Sequence, residues 1–354
     1  MTETIHVPFQ PSRHAKAPIA FVGEAPSDEE LERGAPFVGP SGRVFNSVLR
    51  IANLDRADYF VGNVFDEQLP ENEVANWCAP MAEAKAGGFT DFPPIGSKGF
   101  LRPEHRWHLQ RLHNELSQAK PVVVVPLGAT ALWAMTGHTQ ITQYRGSVMP
   151  ATYCLPGVKL LPTFHPSHIL QQWKFLTTMV GDVMKAASET ARPEIVLPRR
   201  RLLIEPTLGE LIEYRKTLFN ANLLSLDIET GWGQITCIGF APSQEEAICV
   251  PFVDTRKPNK SYWEDPEDEV QAWRIVKDLC ESPVPKLGQN YGAYDAFWLL
   301  DKMGIRTMNM AHDTRLLHHA LYAELPKDLG YMGATYSQQG AWKTMRTKYV
   351  KRDD

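Results

Sequence analysis

Asp227 and Glu229 stand two residues apart in Leu226-Asp227-Ile228-Glu229-Thr230, at the end of an apolar run. Side chains alternate faces along a strand, so these carboxylates share one face, an arrangement suited to hard divalent cations. About 60 residues further on, Gly288-Gln-Asn-Tyr-Gly-Ala-Tyr-Asp295 supplies Asn290 and Asp295 at a helix start. Two metal ions about 4 Å apart can hold a scissile phosphate, ionise the attacking water and stabilise the leaving oxygen. A different inventory lies in the first half of the chain: Glu24 and Phe37 in two loop segments, Asn63 in Gly62-Asn-Val64, and His165 in Thr163-Phe-His-Pro-Ser167. A carboxylate, an aromatic face, an amide and an imidazole suit a flipped nucleobase. Such a base needs a stacking ring, an amide to read its Watson-Crick edge, and a donor for the charge that builds on it.

These residues need elements to hold them. Pro18-Ile-Ala-Phe-Val-Gly23 is a short apolar run ending in Gly and predicts a buried parallel strand, and Val44, Val48, Leu49 and Ile51 predict a helix over 41–54. Tyr59–Val64 and Pro121–Pro126 predict further strands, Leu160–Phe164 a strand end, and 103–119, 129–136 and 167–187 helices. Strands alternating with helices imply a largely parallel sheet whose carboxyl ends converge on one crevice, which would gather Glu24, Asn63 and His165. Residues 191–206, with three prolines and Arg199-Arg200-Arg201, predict an interdomain linker. Beyond it the pattern restarts. Helices over 208–219, 267–279 and 291–303 alternate with strands over 223–228, 235–241 and 247–252 and a short one near Leu287, an α+β layout. The expected organisation is therefore an N-terminal α/β/α three-layer domain over 1–190, a linker over 191–206, and an α+β domain over 207–354.

The 354 residues are 43% hydrophobic and 22% charged, which excludes a disordered or fibrous chain and makes two domains the expectation. No apolar run is long enough to span a membrane and Met1–Lys16 is polar, so a cytoplasmic protein without membrane contact is expected. Five scattered cysteines with no CxxC pair argue against a disulfide framework and against a metal site of close thiolates. Residues 101–200 are net basic and both flanks net acidic. A basic segment can supply phosphate contacts and an acidic one can hold divalent metal, but segment charge alone decides neither.

From about Ala17 to Ala187 the chain resembles the uracil-DNA glycosylase superfamily, specifically its iron-sulfur bacterial and archaeal branch, family 4. The resemblance rests on GEAPSDEELERGAPFVGPSG at 23–42, YFVGNVF at 59–65, VVVVPLGATAL at 122–132, RG at 145, and LPTFHPSHIL at 161–170. It implies that Glu24 sits in the water-activating motif, that Phe37 stacks on uracil, that Asn63 reads its edge, and that His165 stabilises the developing uracil anion. Gly39, Ser41 and Gly42 would lie at a helix N-terminus suited to phosphate. The family holds its cluster with four cysteines, two of them before the first strand and one shortly after the Asn motif. This chain has no cysteine before Cys78 and carries Asp66 and Glu67 after Asn63, so no iron-sulfur cluster is expected. The usual second Gly of the first motif is Ser27.

From about Arg201 onward the chain resembles the DEDD-type 3′ to 5′ exonuclease domain of family A DNA polymerases, an RNase H-like fold. LDIET looks like the first exonuclease motif, GQNYGAYD like the second, and HDTRLLHHAL from His312 like the helix that follows. The resemblance implies Mg²⁺ or Mn²⁺ held by Asp227, Glu229 and Asp295, with Asn290 near the primer terminus. Tyr349-Val-Lys-Arg-Asp353 has the spacing of the third motif, in which Tyr349 would orient the water and Asp353 would complete the metal set.

Both resemblances together are similar to the N-terminal portion of a phage family A DNA polymerase that carries a glycosylase-like domain ahead of its proofreading domain. The implied function is a hydrolase acting on DNA in phage replication or repair, in the host cytoplasm. A non-catalytic module that senses uracil or single strands, or the N-terminal subunit of a split polymerase docking the rest of that enzyme, is the alternative.

Overall fold

The computed structural model describes residues 5–338, 340 and 341. The chain forms two compact units, one running to Val196 and resuming at Gly330, the other spanning Leu197–Leu329.

The first unit begins with strand β1 (Ile19–Gly23), all five residues of which are buried. Because alternate side chains face opposite ways, full burial means that both faces of the sheet are covered, which makes three layers. Helices α1 (Asp28–Arg33) and α2 (Pro40–Ile51) follow, and α2 turns Val44, Phe45, Val48 and Leu49 into the core while Arg43, Asn46 and Arg50 face solvent. Strand β2 (Phe60–Asn63) returns parallel to β1. The insert that follows builds a two-stranded antiparallel ribbon, β3 (Cys78–Ala79) with β4 (Phe100–Leu101), with helix α3 (Met81–Ala86) between them in the chain. Helix α4 (Trp107–Ala119) leads to β5 (Val123–Pro126), then to α5 (Ala129–Thr136) and α6 (Ile141–Tyr144). The short strands β6 (Met149–Pro150) and β7 (Lys159–Leu160) precede α7 (Pro166–Gln171) and α8 (Leu176–Glu189). Sheet order is β2-β1-β5-β7-β6, the first four parallel and β6 antiparallel to β7.

The second unit opens with β8 (Arg201–Leu203) and α9 (Leu208–Phe219). Strands β9 (Leu224–Gly231), β10 (Gln234–Ala241) and β11 (Glu246–Pro251) form an antiparallel meander. The tight turn between β9 and β10 places Trp232 and Gly233 at φ 51° and 74°, the left-handed pair that matches the twist of a hairpin. Helix α10 (Pro266–Glu281) leads to β12 (Lys286–Gly288), and α11 (Asp295–Met303) to β13 (Met310–Asp313) and α12 (Thr314–Leu321). Strands β12 and β13 run parallel to β9, giving the order β13-β12-β9-β10-β11-β8. The sheet thus joins an antiparallel meander to two strands parallel to β9, with β8 added at the edge beside β11.

Three details depart from the sequence reading. Residues 201–203 lie inside the expected linker yet pair in parallel with β11, since Arg201-Leu-Leu203 meets an open sheet edge with Glu246↔Arg201 and Ile248↔Leu203 in register. The helix expected from Tyr291 is broken: a 3-10 turn over Tyr291–Ala293 precedes α11, with Asn290 left-handed at φ 58°. Last, helix α13 (Leu329–Tyr336) packs from Gly330 onward in the first unit. Its Tyr331 ring lies 4.6 Å from the Arg145 guanidinium and its hydroxyl hydrogen-bonds Thr178 Oγ1 at 2.5 Å, while Arg145 Nη1 donates to Thr335 Oγ1 at 3.1 Å.

Candidate active sites

The parallel register gathers the first set of residues. Gly23 stands beside Asn63, and the ladder runs one step past both strands as Val64 N donates to Gly23 O at 3.0 Å and Phe65 N to Glu24 O at 2.9 Å. On the other side of β1, Gly128 N donates to Thr163 O at 2.9 Å, which carries the chain to His165 at the same end of the sheet. Glu24, Asn63 and His165 therefore come together at the carboxyl ends of β1, β2 and the strand-like segment after β7.

Gly23 is the floor of the site. A Cβ there would lie 2.4 Å from Asn63 Oδ1 and 2.5 Å from Phe37 Cζ, so the missing side chain is what lets amide and ring close over one spot. Asn63 is buried, and its carbonyl accepts from Arg111 Nη2 at 2.9 Å. Phe37 is buried, with its ring centroid 5.8 Å from that of His165 and 5.2 Å from Phe45. Its backbone is left-handed at φ 52°, a costly state for an aromatic residue, and polar contacts hold it there. The Phe37 N–H donates to the Glu30 carboxylate, and Arg56 Nη1 donates to Phe37 O at 2.8 Å. Gly42 must be glycine, because a Cβ there would stand 1.9 Å from Phe37 O. Ser27 N and Oγ each donate to Glu30 Oε2 at 2.8 Å, so the serine that replaces the family's glycine tethers the same carboxylate.

His165 caps α7, and the Ser167 N–H donates to its Nδ1 at 3.2 Å. A neutral ring that accepts at Nδ1 carries its proton on Nε2. Burial of the imidazole pushes its pKa down to about 4, so the ring stays neutral around pH 7. Thr130 Oγ1 donates to Glu24 Oε1 at 2.7 Å. Beneath the loop, Thr163 Oγ1 donates to Asp182 Oδ2 at 2.7 Å and Arg145 grips the same carboxylate through Nε and Nη2 at 3.1 and 2.6 Å. Gly39 caps α2, with Ser41 and Gly42 in its first turn. Sequence reasoning singled out none of Glu30, Thr130, Arg111 or Asp182.

In the second unit Asp227 and Glu229 occupy the exposed face of β9. Asp295 is buried, and its Oδ1 accepts from Ile228 N at 2.9 Å, which places its carboxylate against the strand between them. Burial first, and the charge of Asp227 next, raise the Asp295 pKa to about 6, partly offset by that hydrogen bond. The charge of Asp227 thus reaches Asp295 and opposes its ionisation. Asn290 comes close to Asp313 rather than standing alone: Asp313 accepts from Asn290 N at 3.0 Å, Tyr291 N at 2.8 Å and Arg315 N at 2.9 Å, and Arg315 Nη1 donates to Asn290 Oδ1 at 2.6 Å. Asp313 also caps α12, and sequence reasoning singled out neither that role nor its hold on the second motif. Tyr349 and Asp353 lie outside the described residues.

An iron-sulfur cluster does not fit the first unit. Cys237, Cys249 and Cys280 belong to the second unit, and the two thiols left, Cys78 and Cys154, cannot supply four thiolates. Burial pushes the Cys78 thiol up to about 11, which disfavours a thiolate ligand further.

The family model described as the uracil DNA glycosylase superfamily matches residues 11–185. A type-4 uracil-DNA glycosylase of Thermotoga maritima is 34% identical over 174 residues, 48% of this chain and 76% of that protein. A DNA polymerase of Bacillus phage SP01 is 23% identical over 231 residues, 63% of this chain but only 22% of the polymerase. Among solved structures, the EXD2 exonuclease domain soaked in Mg and GMP aligns with a TM-score of 0.25 and 16% identity over 34% of this chain and 58% of that one. On its similarity to the type-4 enzyme, the chain belongs to the uracil-DNA glycosylase superfamily.

Proposed function

We propose that the protein processes DNA in phage replication or repair, joining a uracil-excising site, within 1–190, to a metal-dependent 3′ to 5′ exonuclease site, within 207–354, with 191–206 connecting them. The observation that carries the first half is the closure of the Asn63 amide and the Phe37 ring over Gly23, with the neutral His165 ring 5.8 Å from Phe37. A flipped uracil would stack on Phe37 and present its edge to Asn63. His165 Nε2–H would donate to the oxygen on which charge builds as the glycosidic bond breaks. Glu24, held by Thr130, would orient the attacking water. Gly39 and Ser41 would receive a backbone phosphate at the start of α2.

In the second site Asp227, Glu229 and Asp295 would hold Mg²⁺ or Mn²⁺, which supplies Lewis acidity and an ionised water when bound. The chain's own part is to orient the Asp295 carboxylate through the Ile228 amide and to keep Asn290 fixed by Asp313 and Arg315 for contact with the 3′ end of the strand.

The test is incubation with uracil-containing single-stranded DNA, with and without EDTA. Abasic sites that form in EDTA and metal-dependent shortening from the 3′ end are expected. Retention of the DNA with neither product would overturn this reading in favour of a non-catalytic uracil-sensing module or a docking subunit of a polymerase.

A further inference from the structure

Three residues after Asn63, the chain reaches a second polar cluster that the glycosylase reading does not use. His6 Nδ1 lies 3.2 Å from Asp66 Oδ2 and 3.6 Å from Glu67 Oε1, and the three donor atoms all fall within 4.8 Å of one another. The Val7 N–H donates to Asp66 O at 2.7 Å, so the segment bearing His6 is fastened opposite the two acids. Tetrahedral Zn²⁺, with bonds of about 2.0–2.2 Å, keeps its donor atoms about 3.3–3.6 Å apart, close to these two separations. One imidazole and two carboxylates are borderline-to-hard donors that suit Zn²⁺ and leave a fourth position for water.

A second observation points the same way. His108 is fully buried, and neither of its ring nitrogens has a hydrogen-bond partner of good geometry, yet its Nδ1 stands 2.9 Å from Asp66 Oδ1. The ring stacks on Trp107 at 3.8 Å and on Trp77 at 5.3 Å, so its aim at that carboxylate is fixed by packing. A buried imidazole on the free oxygen of a ligating carboxylate is the usual outer support of a metal site. Arg111 also approaches Asp66, at 3.6 Å, but its Nη atoms are committed to Asn63 O, Val64 O and Glu115.

We propose that His6, Asp66 and Glu67 form a divalent metal site for Zn²⁺, supported by His108. The site is tied to Asn63 through the chain and through Arg111, so its occupancy braces the end of β2.

The test uses the full chain carrying Asp227→Ala and Asp295→Ala, which removes the acidic site of the second unit. Zn²⁺ is titrated against a chromophoric chelator, and melting is followed with and without Zn²⁺. One equivalent of Zn²⁺ and a raised melting temperature are expected. Adding His6→Ala or Glu67→Gln should weaken binding at least ten-fold and abolish the thermal shift. His6 is 48% and Glu67 22% exposed at the side chain, so each variant retains the fold, checked by circular dichroism. Absence of Zn²⁺ binding in the parent variant, or undiminished binding in both additional variants, would overturn the site.

Discussion

Thr130 Oγ1 donates a 2.7 Å hydrogen bond to Glu24 Oε1, joining the first turn of α5 to the end of β1 across 106 residues of sequence. The bond fixes one carboxylate oxygen and leaves the other to a ligand. Thr130 is buried, so valine fills its space without the hydroxyl. Thr130→Val should lower the rate of uracil excision about three- to ten-fold, as befits the loss of one hydrogen bond worth about 1 kcal/mol, with KM little changed. A pure KM effect would mean that Glu24 contacts DNA rather than the water.

Gly23 lies where a side chain cannot. In Gly23→Ala the new methyl would meet Asn63 Oδ1 at 2.4 Å and Phe37 Cζ at 2.5 Å, so both must retreat. A stability loss of about 1–3 kcal/mol is expected from overpacking, with near-complete loss of uracil binding. Retained binding in the folded variant would show that amide and ring do not grip the base together.

Much of this site was legible because strand ends in a parallel sheet converge, which places Glu24, Asn63 and His165 together once the strands are assigned. The β9 carboxylates were legible from period-two alternation alone. What escaped was long-range polar pairing. Glu30 looks like any acid in a run of surface charge, and only the fold turns it inward to hold the left-handed Phe37. Arg111 and Thr130 belong to helices whose local pattern says nothing of what their side chains reach. The edge strand at 201–203 escaped for a related reason: prolines and arginines read as linker until β11 offers a partner.

His165 gives a pH signature. An imidazole of ordinary pKa, 6.5, charges readily on unfolding, whereas burial holds it down to about 4 in the folded protein. The depressed value means that its neutral form supports the fold fully above about pH 6.5 and that this support drains away as pH falls towards 4. Wild type should therefore lose stability over that window relative to His165→Gln, by at most about 3 kcal/mol at roughly 1.4 kcal/mol per unit, less what solvent at the ring edge screens. Parallel melting curves of the two proteins between pH 7 and 4 would remove the buried-neutral account of the imidazole.

Asp295 should show the opposite sign. Its folded pKa, raised from 3.8 to about 6 by burial and by Asp227, means that the protonated carboxyl supports the metal-free fold fully below about pH 4. That support is lost as pH rises through 6, because the ionised group is then buried beside another anion. Asn keeps the oxygen that accepts from Ile228 N and carries no charge. In EDTA at pH 7.5, Asp295→Asn should thus be more stable than wild type by as much as about 3 kcal/mol, the gap closing below pH 4. Adding Mn²⁺ should reverse the order, since wild type gains stability by mass action and the variant has lost a ligand. Urea melts at the two pH values, with and without Mn²⁺, check both parts. A variant that is equally stabilised by Mn²⁺ would show that the ion sits elsewhere, and a wild type unresponsive to pH in EDTA would show that the Asp295 carboxyl is not strained by its surroundings.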